Sequence, residues 1–460
     1  MSENSIERTA AYRLKATERE CPMAFTLENI VCDVQGLLNG SASMARGCED
    51  YAVCVSGVRL SYETFSALRE RVRFVGVTEN FKEILRFYHV KDDQIPAGFC
   101  PTLRLENDST LLIDLKRNIN YGKNGEKRAT RVLYSADCAN PYEIASMKNL
   151  LANITTNPSI IYDRFLNNEK ANIDHRFHTR EEVLSEIIKV VGPGVDISVE
   201  INDPFASEQQ ILEEVSAMEE IISKYQIVVK VPHLGPINKD NLKSLTNNTF
   251  PLRYCETGVA DPCRSHDIAL MLREHGYRVN FTLMADGYQT ALALQAKPYF
   301  INCFMRNRYY HSVKMQELLK CYEATGNEQY LVELRTYLIK SYYLAEKDRD
   351  MSLFEVKRLA EWELTYRKWN TPEGSDGLDQ ARDCLRQLSV SNLPDTRLII
   401  CSMAGEKMYP YIDHMLLEPE FRELSEKVII SAAPDYLCQF TSSPAVLNYN
   451  ASFAKAVEKK

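Results

Sequence analysis

From about residue 131 onward, short β-branched or apolar runs alternate with longer segments whose apolar residues recur at helical spacing, and this alternation restricts the fold more than any other feature. The runs are 131–136, 152–155, 196–201, 226–231, 277–283, 299–303, 397–401 and 427–431. Being almost continuously apolar, they predict strands buried on both faces, which parallel sheets require. The intervening segments predict helices. In the clearest one, Ile211, Leu212, Val215, Met218, Ile221, Ile222 and Tyr225 share one face, Ser207 stands as N-cap, and Glu213, Glu214, Glu219 and Glu220 occupy the other face. Eight strand–helix units predict an α/β chain folded as a (β/α)₈ TIM barrel.

Two segments stand outside this pattern. Residues 1–126 are long enough for a small α/β domain of their own, with strand-like runs at 30–34 and 51–57 and helix-like runs at 65–72 and 81–88. The polar stretch 118–124 reads as an exposed linker or hairpin before a barrel at 127–445. Asp33-Val34-Gln35-Gly36-Leu37-Leu38 resembles the nucleophile loop of haloacid-dehalogenase phosphatases, but Gln35 occupies the place of the second acid, so a strand followed by a glycine turn is the plain reading. The second segment, 306–394, is far too long for a barrel loop and reads as a helical insert between the sixth and seventh strands, with helices at 311–325, 328–346, 353–370 and 378–388. It holds both tryptophans, Trp362 and Trp369, which fits a lid over the barrel or a contact in a homo-oligomer. Residues 446–460 read as a C-terminal tail.

Charge limits the partners. With 55 Lys and Arg against 63 Asp and Glu the formal charge is −8, which argues against nucleic acid or an anionic membrane as main partner and favours a small-molecule substrate. No run approaches the ~20 apolar residues of a membrane helix, and the charged first twenty residues lack the apolar stretch of a signal peptide. The 13 cysteines are scattered without a C-x-x-C pair, as reduced thiols in a cytoplasm would be, and no metal ligand set is suggested.

In such a barrel the chemistry sits where strands end. The polar residues there are Asp137, then Thr155 and Asn157, Glu200, Lys230, Asn280 and Thr282, Asn302, and Ser402. Asn280 and Thr282 are two apart and share one strand face. Lys230 lies mid-strand in Ile-Val-Val-Lys-Val-Pro, where a charge costs several kcal/mol unless paired or neutralised. A lysine kept neutral inside a barrel is a nucleophile toward ketones; the alternative is a lysine that snorkels out to solvent.

These runs, Asp137-Cys138-Ala139-Asn140, Thr155-Thr156-Asn157-Pro158-Ser159, Ile197-Ser198-Val199-Glu200, Val228-Val229-Lys230-Val231-Pro232 and Val279-Asn280-Phe281-Thr282-Leu283, resemble those of transaldolases and fructose-6-phosphate aldolases over about residues 131–440. The resemblance implies a class I aldolase without metal or organic cofactor. It makes Lys230 the Schiff-base residue and Asp137 the acid/base, with Glu200 and Thr282 holding a water. Asn157 and Asn280 would orient substrate hydroxyls, with Thr155, Asn302, Ser402 and Arg306 completing the binding set. The implied activity is transfer of a dihydroxyacetone-type unit on a sugar or sugar phosphate, either non-standard or that of ordinary pentose-phosphate transaldolase; a non-catalytic regulatory barrel is the rival. Two places depart from the family. Asn302 replaces a serine, and Ala404 stands where a phosphate-binding arginine belongs, leaving Arg306, Arg308 or Lys407 to supply the cation.

Overall fold

The computed structural model of the chain describes residues 31–40, 42–91 and 94–458. Two compact units divide it: one takes the described residues up to Ile95 together with Pro101–Lys116, the other takes Pro96–Cys100 and Arg117 onward.

In the second unit eight parallel strands close into a barrel: Leu133–Asp137, Leu151–Thr155, Asp196–Glu200, Ile227–Pro232, Val279–Met284, Phe300–Phe304, Arg397–Cys401 and Val428–Ala432. The last pairs with the first through Ile429 and Leu133, so no edge is left. Alternation along each strand separates two sets of side chains. Val229, Val231, Ile197 and Val199 join the large core between strands and helices, whereas Leu133, Val228, Phe300, Ile399 and Ile429 fill the barrel itself. That alternation sends Lys230 inward, between Glu200 on one neighbouring strand and Asn280 on the other. The helix Glu208–Ile222 starts with a capping box between Ser207 and Gln210 and buries Ile211, Val215, Met218 and Ile222, as its spacing predicts.

Of the two readings of 118–124, the hairpin holds, with Tyr121 bridging antiparallel to Lys127, but the stretch is not simply exposed. Ile119 is fully buried among the residues filling the barrel, and its neighbours anchor it. Arg117 pairs with Asp196 at 2.7 Å, Asn118 Oδ1 accepts from Arg397 at 2.8 Å, and Arg128 donates to the carbonyls of Ile119 and Gly194 at 2.9 and 3.0 Å. The segment is a plug in the barrel floor, and its polar residues are spent on hydrogen bonds.

The insert is a helical bundle built from Arg306–Thr325, Gln329–Lys340, Leu353–Tyr366 and Asp379–Ser389. The first three enclose a core of their own, with Met315, Leu319, Leu334, Leu338, Val356, Ala360 and Trp369. In the first unit the expected strand at 51–57 is instead the short helix Ala52–Ser56, because a brief Val-Cys-Val run satisfies either element and tertiary packing decides. Ile30 of the run at 30–34 lies outside the described residues; the strand there is Val31–Asp33, capping the short helix that follows through Asp33. The end of the chain forms the helix Pro444–Val457. Among the described residues no helix is long and apolar enough to cross a membrane.

Candidate active site

At the C-terminal ends of the strands lies a cavity of 180 Å³. Seven of the ten expected site residues line it: Asp137, Thr155, Asn157, Lys230, Asn302, Arg306 and Ser402. Glu200, Thr282 and Asn280 do not line it but stand directly behind those that do. Glu200 reaches Lys230 at 3.2 Å, Thr282 accepts from Asn302 at 3.2 Å, and Asn280 is the strand neighbour of Lys230.

Lys230 is 2% exposed. Its Nζ lies 3.2 Å from Glu200 and donates to the Thr156 carbonyl at 3.1 Å. An ammonium has three N–H groups, so these contacts satisfy two and leave one for the cavity. The snorkelling alternative is not realised: the side chain stays inside the barrel, where a carboxylate and a carbonyl face it.

Asp137 ends the first strand, half-buried. Among the described residues nothing donates a hydrogen bond to its carboxylate. Burial pushes the Asp137 carboxyl above the ordinary range, and it does so against the opposing pull of Lys230, Arg164 and Arg306. Cys401, on the seventh strand, also lines the cavity; its thiol is raised by burial first and by Asp137 next.

The barrel interior is under-bonded. Asn280 is fully buried, and neither its amide nitrogen nor its oxygen has a partner. The same holds for Thr155 Oγ1, Asn302 Oδ1 and Ser431 Oγ. Most buried polar atoms in proteins are satisfied, so a group of orphans beside one cavity marks where bound molecules belong. The backbone is strained nearby: Leu283 and Ser402, at the ends of the fifth and seventh strands, have φ of 65° and 51°, a left-handed conformation that non-glycine residues avoid.

Three lining residues escaped sequence reasoning. Arg164 sits on Ser159–Leu166, a helix widened to i→i+5 bonding, as in Asn167 N to Tyr162 O at 2.9 Å, so ordinary helical spacing does not place it. Cys401 reads as one more apolar strand residue. Tyr436 follows the eighth strand and donates to the Gly405 carbonyl at 2.9 Å across the cavity rim.

Of the cations proposed to replace an arginine at Ala404, only Arg306 lines the cavity; its Nε donates to the Met403 carbonyl at 2.9 Å. Arg308 is spent on Asp379 of the insert and on Asp286 beyond the fifth strand, and Lys407 is exposed away from the lining. Ala404 itself belongs to the outer core. Among the described residues no three His, Cys, Asp or Glu side chains converge as metal ligands would.

No protein-family model matches this chain, and no curated protein sequence does. The comparison with solved structures does return matches. Two structures of mandelate oxidase, one with a monooxide FMN adduct and one with benzaldehyde, share 9% and 10% identity over 69% of this chain and 72% and 71% of theirs, each with a TM-score of 0.31. Likeness of that degree carries neither cofactor nor reaction to this chain. The resemblance to transaldolases is not upheld: neither a family model nor a curated sequence supports it. Schiff-base transfer of a ketose-derived unit, in the non-standard or the pentose-phosphate form, is corrected accordingly. The runs that carried it are strand cores followed by polar ends, which a barrel with a polar mouth produces in any family.

Proposed function

We propose that the barrel mouth is the active site of an enzyme that moves a proton on a small, anionic, hydroxyl-bearing carbonyl compound. The observation that carries this reading is the Asp137 carboxyl, raised by burial and left without donors in a cavity it shares with Lys230, Arg164 and Arg306. A carboxyl raised above the ordinary range is a better general base than an ordinary one, because it binds a proton more firmly.

Each group has a part in enolisation. Asp137 takes a proton from the carbon beside the carbonyl. The unspent N–H of Lys230, fixed by Glu200 and the Thr156 carbonyl, stabilises the oxyanion that develops. Arg164 and Arg306 hold the anionic end of the substrate. Asn302 and Thr155 offer unpartnered polar atoms to its hydroxyls.

The test is solvent-deuterium exchange into a panel of carboxylated and phosphorylated α-hydroxycarbonyl compounds, followed by mass. At least one compound gains deuterium, and Asp137→Asn slows that gain about 10²–10⁴-fold. Undiminished exchange in the variant, or no labelling across the panel, would overturn the reading.

A further inference from the structure

At the opposite end of the strands the barrel floor carries a second cavity, of 340 Å³, whose lining includes Arg273, Arg278, Lys297, Tyr299, Asp395 and Thr396. Three cations and one carboxylate thus face one hollow. The balance does not improve behind it. Arg278 pairs with Asp196 at 2.9 Å, but Arg117 takes the same carboxylate at 2.7 Å, so one anion answers two guanidiniums.

Arg397 is 6% exposed and has no carboxylate partner among the described residues. Its donors go to the Asp395 backbone carbonyl at 3.1 Å and Asn118 Oδ1 at 2.8 Å, and its Nε has none. Tyr299 lies between two of these cations, with the Arg278 and Arg397 Cζ atoms 4.7 and 5.6 Å from its ring centroid. Lys427 is held below its ordinary range by burial first and by Arg397 next, against the pull of Asp395. Arg273 has one long contact, 3.4 Å to the Ala296 carbonyl, and Lys297 has no hydrogen-bond or ion-pair partner among the described residues.

A half-enclosed hollow with surplus cations focuses an attractive field on anions, and buried guanidiniums without counter-charge are stable only when something supplies it. Guanidinium and ammonium groups arriving from several directions suit a tetrahedral dianion better than a planar carboxylate. We propose that this floor cavity is a binding site for a phosphate group, free or carried by a small molecule, separate from the barrel mouth. Its lining comes from the starts of the fifth, sixth and seventh strands, so an occupant ties three strands together and raises the stability of the barrel.

The measurement is the Tm of the full chain titrated with inorganic phosphate or methyl phosphate, against chloride at matched ionic strength to remove screening. At roughly tenfold above the dissociation constant the expected rise is about 1–2 °C. A response to inorganic phosphate alone marks free phosphate as the ligand, and a stronger response to the ester marks a phosphorylated molecule. Arg273→Gln with Lys297→Gln, both at exposed positions, removes the rise. Arg164→Gln with Arg306→Gln, which disarms the mouth, leaves it intact. A rise lost in the mouth pair but kept in the floor pair, or no rise beyond that with chloride, would overturn the proposal.

Discussion

The helical insert and the barrel mouth both gather ionisable side chains, yet they treat them in opposite ways. In the insert every deeply buried charge meets an opposite one: Arg308 is held by Asp379 at 2.6 Å and Asp286 at 2.9 Å, and Arg367 by Glu363 at 2.8 Å and the Tyr343 hydroxyl. In the mouth, the Asp137 carboxylate has no donor, Arg164 has no ion-pair partner among the described residues, and the amide of Asn280 is unanswered at full burial. Paired charges fix a structure; unanswered ones are what the proposed reading assigns to a ligand.

That contrast can be broken by substitution. The largest effect is expected in the insert: Arg308→Ala leaves Asp379 and Asp286 facing each other without a cation, and should cost about 3–5 kcal/mol in denaturant unfolding. A cost under about 1 kcal/mol would show that the pairing there is incidental. In the mouth, Arg164→Gln and Arg306→Gln should each raise KM for an anionic substrate about ten- to a hundredfold with little loss of stability, as expected for a charge-assisted contact worth about 1.5–3 kcal/mol. Lowered stability with unchanged KM would reassign them to structure.

The smallest effect sharpens the comparison further. Folding raises the Asp137 carboxyl, so the native state holds the proton more tightly than the unfolded chain does. The stability this gives is present below the ordinary carboxylate range and is lost as pH rises through the raised native value. Near neutrality the residue is a liability, and Asp137→Asn should stabilise the protein by about 1 kcal/mol while it impairs proton transfer. The gain should vanish in acid, which stability curves at several pH values would reveal.

The barrel was legible because eight buried parallel strands leave eight apolar runs, and each run falls within a few residues of a strand. Lys230 and Asp137 were legible as polar residues in or at the end of such runs. Partnership was not: no spacing announces that Glu200 and the Thr156 carbonyl stand by Lys230, because that depends on which strands become neighbours. Arg164 was hidden by a helix of irregular pitch, and the role of 118–124 by the polarity of a segment whose one apolar residue, Ile119, does the sealing. The family resemblance failed for a related reason. Five short runs report the layout of a barrel mouth, not the reaction carried out there.

The plug also changes what counts as a boundary. The chain enters the barrel unit at Pro96–Cys100, leaves it for Pro101–Lys116, and returns at Arg117. The strands Phe99–Leu105 and Thr110–Arg117, neighbours in one sheet, straddle both crossings. A ribosome that has released residue 128 has already delivered the stopper, with Ile119 in it, before any barrel strand exists to be stopped. The barrel is built onto its own base, and trimming the chain at residue 126 would remove that base.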